Sequence, residues 1–322
     1  MEPGRPISAG GIAQSALEAI GNTPLVRLNR LVDRESADVY VKLESVNPTG
    51  SYKDRMALSM IERAEARGDL RPGMTVVEYT GGSTGTALAF VCAVKGYSLK
   101  VVSSDAFSAE KLRSMEAFGA ELHMVPSEGG QTTPDLVPRM RAAAEGLAAA
   151  AGTYFTDQLE NPDNRAGYAG MGQEILDQSA GKIDVFCAAV GSAGMAMGVG
   201  RALKQANSAT RVTLFEPAES PQLTQGKGGR HRIEGIGLGM VPPLLDPEIY
   251  DRVLTVSQQD AFDTARQLAS QEGLLAGTSS GLNVAGALTI ASELGSGHSV
   301  VTVIVDSGLK YLTEGPFSEG PA

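Results

Sequence analysis

Cysteine is scarce in this chain, with two in 322 residues, and histidine nearly as scarce, with three. Cys92 and Cys187 each lie in an apolar run, Phe90-Val91-Cys92-Ala93-Val94 and Val185-Phe186-Cys187-Ala188-Ala189, where a thiol behaves as a small buried hydrophobe. Neither a disulfide nor a catalytic thiol is expected. His123, His231 and His298 are scattered, with no second ligand at metal spacing, so metal catalysis and a Ser-His-Asp site find no support. An apolar run long enough to span a membrane is missing, and so is a basic-then-apolar N-terminal stretch with a cleavage site. A cytoplasmic enzyme without a membrane partner is the expectation. The formal net charge of -10 argues against nucleic acid or an anionic membrane as a partner. Small anionic substrates must then be captured locally.

What the chain does have is a globular balance, 42% hydrophobic and 20% charged, and a length that suits two compact lobes better than one. Short β-branched runs recur at Val39 to Leu43, Thr75 to Glu78, Leu99 to Ser103, Glu121 to Val125, Ile183 to Val190, Val212 to Phe215 and Val300 to Val305. Amphipathic or alanine-rich helical patterns separate them. That rhythm predicts right-handed βαβ units, with parallel sheets flanked by helices. An alanine-rich helix tail stops at Gly152, and the main lobe boundary is expected there. Pro3 to Gly11 and Glu314 to Ala322, rich in glycine, proline and polar residues, are expected to fray.

Chemistry concentrates in four places. In Asn47-Pro48-Thr49-Gly50-Ser51-Tyr52-Lys53-Asp54-Arg55, Ser51 reads as an N-cap, and Met56, Ala57, Met60, Ile61 and Ala64 follow at helical spacing. Lys53 then falls in the first turn, where the helix dipole opposes the ammonium form and favours an amine able to condense with a carbonyl. The turn Glu78-Tyr79-Thr80-Gly81-Gly82-Ser83-Thr84-Gly85 follows a strand and opens a helix, presenting amides to an anion such as a carboxylate. Val190-Gly191-Ser192-Ala193-Gly194-Met195 does the same and is a candidate phosphate cradle. Leu275-Ala276-Gly277-Thr278-Ser279-Ser280-Gly281 puts two serines at a helix start, which by itself reads as an N-cap. No turn ends in Gly-Lys-Ser/Thr, and the first lacks the G-x-G-x-x-G spacing of a nicotinamide site. A lysine imine, a phosphate cradle and a pocket for an amino acid together point to pyridoxal 5'-phosphate.

Over nearly its whole length the chain resembles the cysteine synthase (O-acetylserine sulfhydrylase) and cystathionine β-synthase family of fold-type II pyridoxal-phosphate enzymes. The likeness starts at Ala19-Ile20-Gly21-Asn22-Thr23-Pro24-Leu25-Val26-Arg27-Leu28 and passes through the Lys53 motif. Next come Asp157-Gln158-Leu159-Glu160-Asn161-Pro162 and Glu216-Pro217-Ala218-Glu219-Ser220-Pro221. It closes with His231 to Pro242, Ser279-Ser280-Gly281 and Asp306-Ser307-Gly308-Leu309-Lys310-Tyr311-Leu312. The resemblance implies an α/β fold of two lobes, tryptophan synthase β-like, each a mainly parallel sheet flanked by helices. Residues 40–152 would form a smaller, mobile N-terminal lobe, and 1–39 with 153–322 a larger one carrying the phosphate loop.

It also implies roles. Lys53 would hold the cofactor as an imine and later remove the substrate α-proton. Gly191, Ser192, Ala193, Gly194 and Met195 would bind the phosphate, and Ser279, rather than Ser280, would meet the pyridine nitrogen. Thr80, Gly81, Ser83, Thr84 and Gln158 would form the substrate carboxylate pocket, with Ser83 also touching the cofactor, and Gly235 would face the amino acid. The implied reaction is β-replacement on an activated L-serine, O-acetylserine or O-phosphoserine, through an aminoacrylate, with sulfide or another small nucleophile. A homodimer is implied as well. Elimination to pyruvate and ammonia shares every step before the nucleophile arrives, so motifs do not separate the two, and a non-catalytic binding protein of the same fold is a third reading that Lys53 opposes.

The departures from the family cluster at the ligands. Thr-Ser-Gly-Asn-Thr-Gly becomes Thr80-Gly81-Gly82-Ser83-Thr84-Gly85, which removes one hydroxyl and replaces an amide with a shorter hydroxyl. Tyr79 replaces a proline, Ala193 a glycine and Met195 a threonine. This pattern implies a changed substrate or nucleophile, or reduced activity, on an unchanged fold.

Overall fold

The computed structural model describes residues 12–131, 133, 135–313 and 315–318. In chain order the strands are β1 (Leu25–Arg27), β2 (Asp38–Leu43), β3 (Thr75–Tyr79), β4 (Ser98–Ser104), β5 (Glu121–Val125), β6 (Thr153–Phe155), β7 (Val185–Ala189), β8 (Arg211–Pro217), β9 (Arg252–Val256) and β10 (Ser299–Ile304). The helices are α1 (Lys53–Arg67), α2 (Ser83–Lys95), α3 (Ala109–Ala117), α4 (Leu136–Ala148), α5 (Pro162–Ala166), α6 (Ala169–Gln178), α7 (Gly194–Ala206), α8 (Gln222–Gln225), α9 (Gln258–Gln267) and α10 (Thr278–Leu294).

Contacts divide the chain into two units. The first takes the described residues up to Ile20 together with Asn47–Gly167. Its sheet has the order β5-β4-β3-β6 and is parallel throughout. The core over one face joins Val77, Tyr79 and Val102 to Leu136, Met140 and Ala144 of α4. The second unit takes Gly21–Val46 and the described residues from Tyr168 onward. Its sheet has the order β1-β2-β10-β7-β8-β9, parallel except that β1 runs antiparallel to β2. Every residue of β7 is buried, as expected of a strand covered on both faces.

The division corrects the expected boundaries at 40 and 152. β2 pairs with β10 along its whole length, so 40–46 stay with the six-stranded sheet, while β6 pairs with β3 and carries 153–167 into the first unit. Residues 12–20 also group with the first unit, not with the larger one. β1, β6 and β9 were not expected as strands; two are three residues long, too short for a periodicity to show.

Polar contacts explain two of the motifs. The Lys42 amine, fully buried, uses its three donors on the Thr23 carbonyl at 2.6 Å, Gln178 Oε1 at 2.9 Å and the Glu174 carboxylate at 2.7 Å. Glu174 also accepts the Asn22 N–H at 3.0 Å, so the Gly21-Asn22-Thr23-Pro24 turn is pinned to α6. In the first unit Asn161 caps α5 by accepting the Asp163 N–H at 2.9 Å, with Pro162 beginning the helix. Arg141 holds the same segment by donating to Asp157 at 2.9 Å and pairing with Glu160 at 2.8 Å.

Pro3 to Gly11 lie outside the described residues, as do Glu314 and 319–322. In the described part of the tail expected to fray, the Pro316 carbonyl accepts a hydrogen bond from Arg266 Nε at 2.8 Å. Among the described residues no helix is long and apolar enough to cross a membrane.

Candidate active site

In the first unit, Lys53 is the first residue of α1. The expected N-cap shifts by one position: Tyr52 occupies it without a side-chain cap, and the Ser51 hydroxyl accepts the Lys53 N–H at 3.3 Å. The turn ahead of the helix is tied down by Asp54, whose buried carboxylate accepts the Thr49 N–H at 2.8 Å and the Thr49 hydroxyl. Among the described residues the Lys53 amine makes one interaction, lying 4.8 Å from the centre of the Tyr52 ring. With no carboxylate pairing it, the amine is available to a carbonyl.

The loop from Thr80 to Gly85 follows β3 and runs into α2, whose N-cap Gly82 offers no side chain to the first amides. The Thr80 hydroxyl accepts the Gly82 N–H at 3.2 Å, and the Thr84 hydroxyl donates to Gln158 Oε1 at 2.6 Å. Gln158 Nε2 donates to the Tyr79 carbonyl at 3.3 Å, leaving its second hydrogen for another acceptor. Thr80, Thr84 and Gln158 are thus brought together as expected, with Gly81 and Ser83 on the same loop.

Glu78, quoted in the turn motif without a role, proves to hold this arrangement. It is fully buried, and its carboxylate accepts the Tyr79 N–H at 2.8 Å, the Gln158 N–H at 3.0 Å and the Thr156 hydroxyl at 2.8 Å. Burial pushes its carboxyl up to about 7 against the opposing pull of those hydrogen bonds. The departure at 79 contributes here, since a proline would have no N–H to donate. An acid at the end of an apolar strand, just before a glycine loop, was the available signal.

In the second unit the turn after β7 opens α7. Ala193, its N-cap, adopts the left-handed conformation at φ +65°, which accounts for the family's glycine there and costs an L-residue about 1–2 kcal/mol. No side chain caps α7; the Gly194 N–H lies 3.4 Å from the Ser192 hydroxyl, and Met195 is buried in the first turn. Gly235, left-handed at φ +79°, places its carbonyl against Gly191, so two expected site residues meet. The neighbouring Glu234 N–H donates to the Thr278 hydroxyl at 3.1 Å, joining this loop to the start of α10.

The serines at α10 are not caps. Gly277 is the N-cap, and the Ser280 hydroxyl instead accepts the Val305 N–H at 2.9 Å. Ser279 is 4% exposed, and its hydroxyl makes no hydrogen bond to a described residue. That difference favours Ser279 over Ser280 as the partner of a ligand atom. Each unit offers groups that suit pyridoxal 5'-phosphate: the first, a lysine amine with no ionic partner among the described residues; the second, a helix N-terminus without a side-chain cap and a serine hydroxyl without a hydrogen bond to a described residue.

Two parallel α/β units carrying such a lysine and such glycine loops define a class of cofactor-dependent enzyme. The chain belongs to the family described as "Pyridoxal-phosphate dependent enzyme", whose model matches residues 16–306. It is similar to a cysteine synthase of Staphylococcus aureus, 42% identical over 298 residues, which cover 92% of this chain and 94% of that one. Among solved structures it is similar to an O-ureido-L-serine synthase, with a TM-score of 0.89, 37% identity and 97% of each chain covered. A hydrogen sulfide-producing enzyme of Fusobacterium nucleatum matches with a TM-score of 0.86 and 35% identity, covering 94% of this chain and 99% of that one.

Proposed function

We propose that the protein catalyses β-replacement on an activated L-serine, O-acetylserine first and O-phosphoserine second, with sulfide or another small nucleophile. The observation that carries this reading is Lys53, half-buried at the start of α1, its amine paired with no carboxylate among the described residues. The similarity to a cysteine synthase at 42% identity supports cysteine as the product.

Pyridoxal 5'-phosphate, when bound, supplies an electron sink for the charge left at the substrate α-carbon. Lys53 would hold the cofactor through its amine, and the same amine would take the substrate α-proton. Thr80, the backbone amides of Gly81, Ser83 and Thr84, and Gln158 orient the substrate carboxylate, while Thr84 keeps the Gln158 side chain in place. Gly191 to Met195 would hold the phosphate by backbone amides and the Ser192 hydroxyl, and Ser279 would meet the ring nitrogen. A serine hydroxyl there would leave that nitrogen largely unprotonated, which would favour loss of the β-substituent. Gly235 leaves space beside the amino acid. A homodimer acting in the cytoplasm is part of the same proposal, and light scattering of the purified protein tests the dimer.

The hydrogen sulfide-producing relative supports a second reading, β-elimination to pyruvate and ammonia. Absorbance titration of the yellow holoenzyme with O-acetylserine, O-phosphoserine and L-serine, followed by sulfide, tests both. A donor-dependent spectral change reversed by sulfide, with cysteine formed, is the expected result. Pyruvate formed at the same rate with or without sulfide would establish elimination instead.

A further inference from the structure

Gly81 and Gly82, between β3 and α2, and Gly85, in the first turn of α2, are each covered by a side chain of one neighbouring segment. A Cβ on Gly81 would lie 2.3 Å from Cδ1 and 2.4 Å from Cε1 of Phe107; one on Gly82, 3.1 Å from Cδ of Lys111; and one on Gly85, 2.6 Å from Sδ of Met115. Lys111 and Met115 lie four residues apart on one face of α3, and Phe107 stands just ahead of the helix, before its N-cap Ser108.

The stripe is itself held. Met115 is fully buried and Lys111 is 6% exposed. The Phe107 N–H donates to the Ser104 carbonyl at 3.2 Å, which starts the turn at the end of β4. Its ring packs on the core formed by Val77, Tyr79, Val102 and Leu136. A side chain at residue 81 therefore requires the ring to leave a packed position, which costs more than moving the free end of a flexible chain. Gly81 and Phe107 are two halves of one steric solution.

We infer that Phe107 is a positioning residue for the substrate loop: its ring fills the space of a residue-81 side chain, holds the Gly81 amide toward the substrate carboxylate and makes glycine obligatory at 81. The inference rests on reading Thr80 to Gly85 as the carboxylate loop. In place of a hydroxyl anchored on the loop, this chain uses an aromatic side chain from outside it. The donor pocket is then specified by residues 81 and 107 as a pair, and a serine restored at 81 alone disrupts the loop.

The test is a double-mutant cycle on the holoenzyme with Gly81→Ser, Phe107→Ala and the double variant, and with Phe107→Leu as the conservative control. Hydrogen exchange of amides 80–86 and the spectral titration with O-acetyl-L-serine are read in parallel. Gly81→Ser alone is expected to speed exchange in 80–86, but not in α7, and to raise KM for the donor by about 10- to 100-fold with a smaller change in kcat. Adding Phe107→Ala is expected to recover at least about threefold of that loss, a coupling that independent sites do not show. Phe107→Leu should retain most of the wild-type loop protection. Additive effects on exchange, or a Gly81→Ser protein indistinguishable from wild type, overturn the inference. If Gly81→Ser does not fold, a folded double variant supports it, and an unfolded double variant beside a folded Phe107→Ala overturns it. A wild-type protein inert toward every donor sinks the proposed reaction instead, and the exchange cycle still decides the pairing.

Discussion

The Gly235 carbonyl oxygen lies 2.2 Å from where a Cβ on Gly191 would be, so the first residue of the loop proposed to bind the phosphate and the loop proposed to face the amino acid hold each other in place. Gly191→Ala must push the two apart. The amides of α7 then lose their aim at an anion, and hydrogen bonds to a charged group are worth about 1.5–3 kcal/mol each. Affinity for pyridoxal phosphate is expected to fall by about tenfold or more, read by titrating the apoprotein at the cofactor's absorbance band. Unchanged affinity would place the phosphate elsewhere.

Lys53→Ala removes the amine that lies over the Tyr52 ring. The variant should fold, because that amine makes no other interaction with a described residue. Turnover is expected to fall by about 10²–10⁴-fold or more. Borohydride treatment followed by mass spectrometry should find cofactor attached to the α1 peptide in the wild type only. Attachment in the variant would assign the covalent role to another lysine.

Glu78 sets a pH dependence with a definite sign. Its carboxyl is raised from 4.5 to about 7 in the folded protein, with burial as the largest cause. The neutral form is therefore the one that folding favours. Its contribution to stability is fully present below about 4.5 and is lost as pH rises from there through about 7. Melting temperatures of wild type and Glu78→Gln across that window should show the wild type losing ground to the variant as pH rises. A constant difference between the two would mean that Glu78 ionises normally.

Ser83 opens α2 within the loop proposed to bind the substrate, at the position where the resemblance implies an asparagine. Ser83→Asn restores an amide with two donors in place of one hydroxyl. The expected result is a fall of about tenfold in KM for O-acetylserine in the sulfide-dependent assay, the worth of one hydrogen bond to a charged group. No change would show that the loop's altered specificity does not reside at residue 83.

Much of this was legible from local patterns. The seven expected strands all exist, since a buried parallel strand needs a continuous apolar run, and β7 supplies one in Val185-Phe186-Cys187-Ala188-Ala189. The lysine and both glycine loops were visible for the same reason: strand, small-residue turn and helix follow one another in the chain. Less legible were β1 and β6, which are strands only because β2 and β3 offer them edges. The lobe boundary was misread at 152 because a helix stop at Gly152 looks the same whether or not the next strand returns to its own sheet.

By itself the sequence determined the alternation of strand and helix, the lysine at a helix start and the family, because each is written in residues that adjoin. Tertiary structure supplied the reason that Ser280, and not Ser279, has its hydroxyl engaged, since Val305 reaches Ser280 from 25 positions away. It also decided that Glu78 is a buried acid joined to Gln158, 80 residues on, and that Phe107 stands where a side chain at Gly81 would go. Burial, desolvation and steric exclusion depend on neighbours that chain order does not reveal.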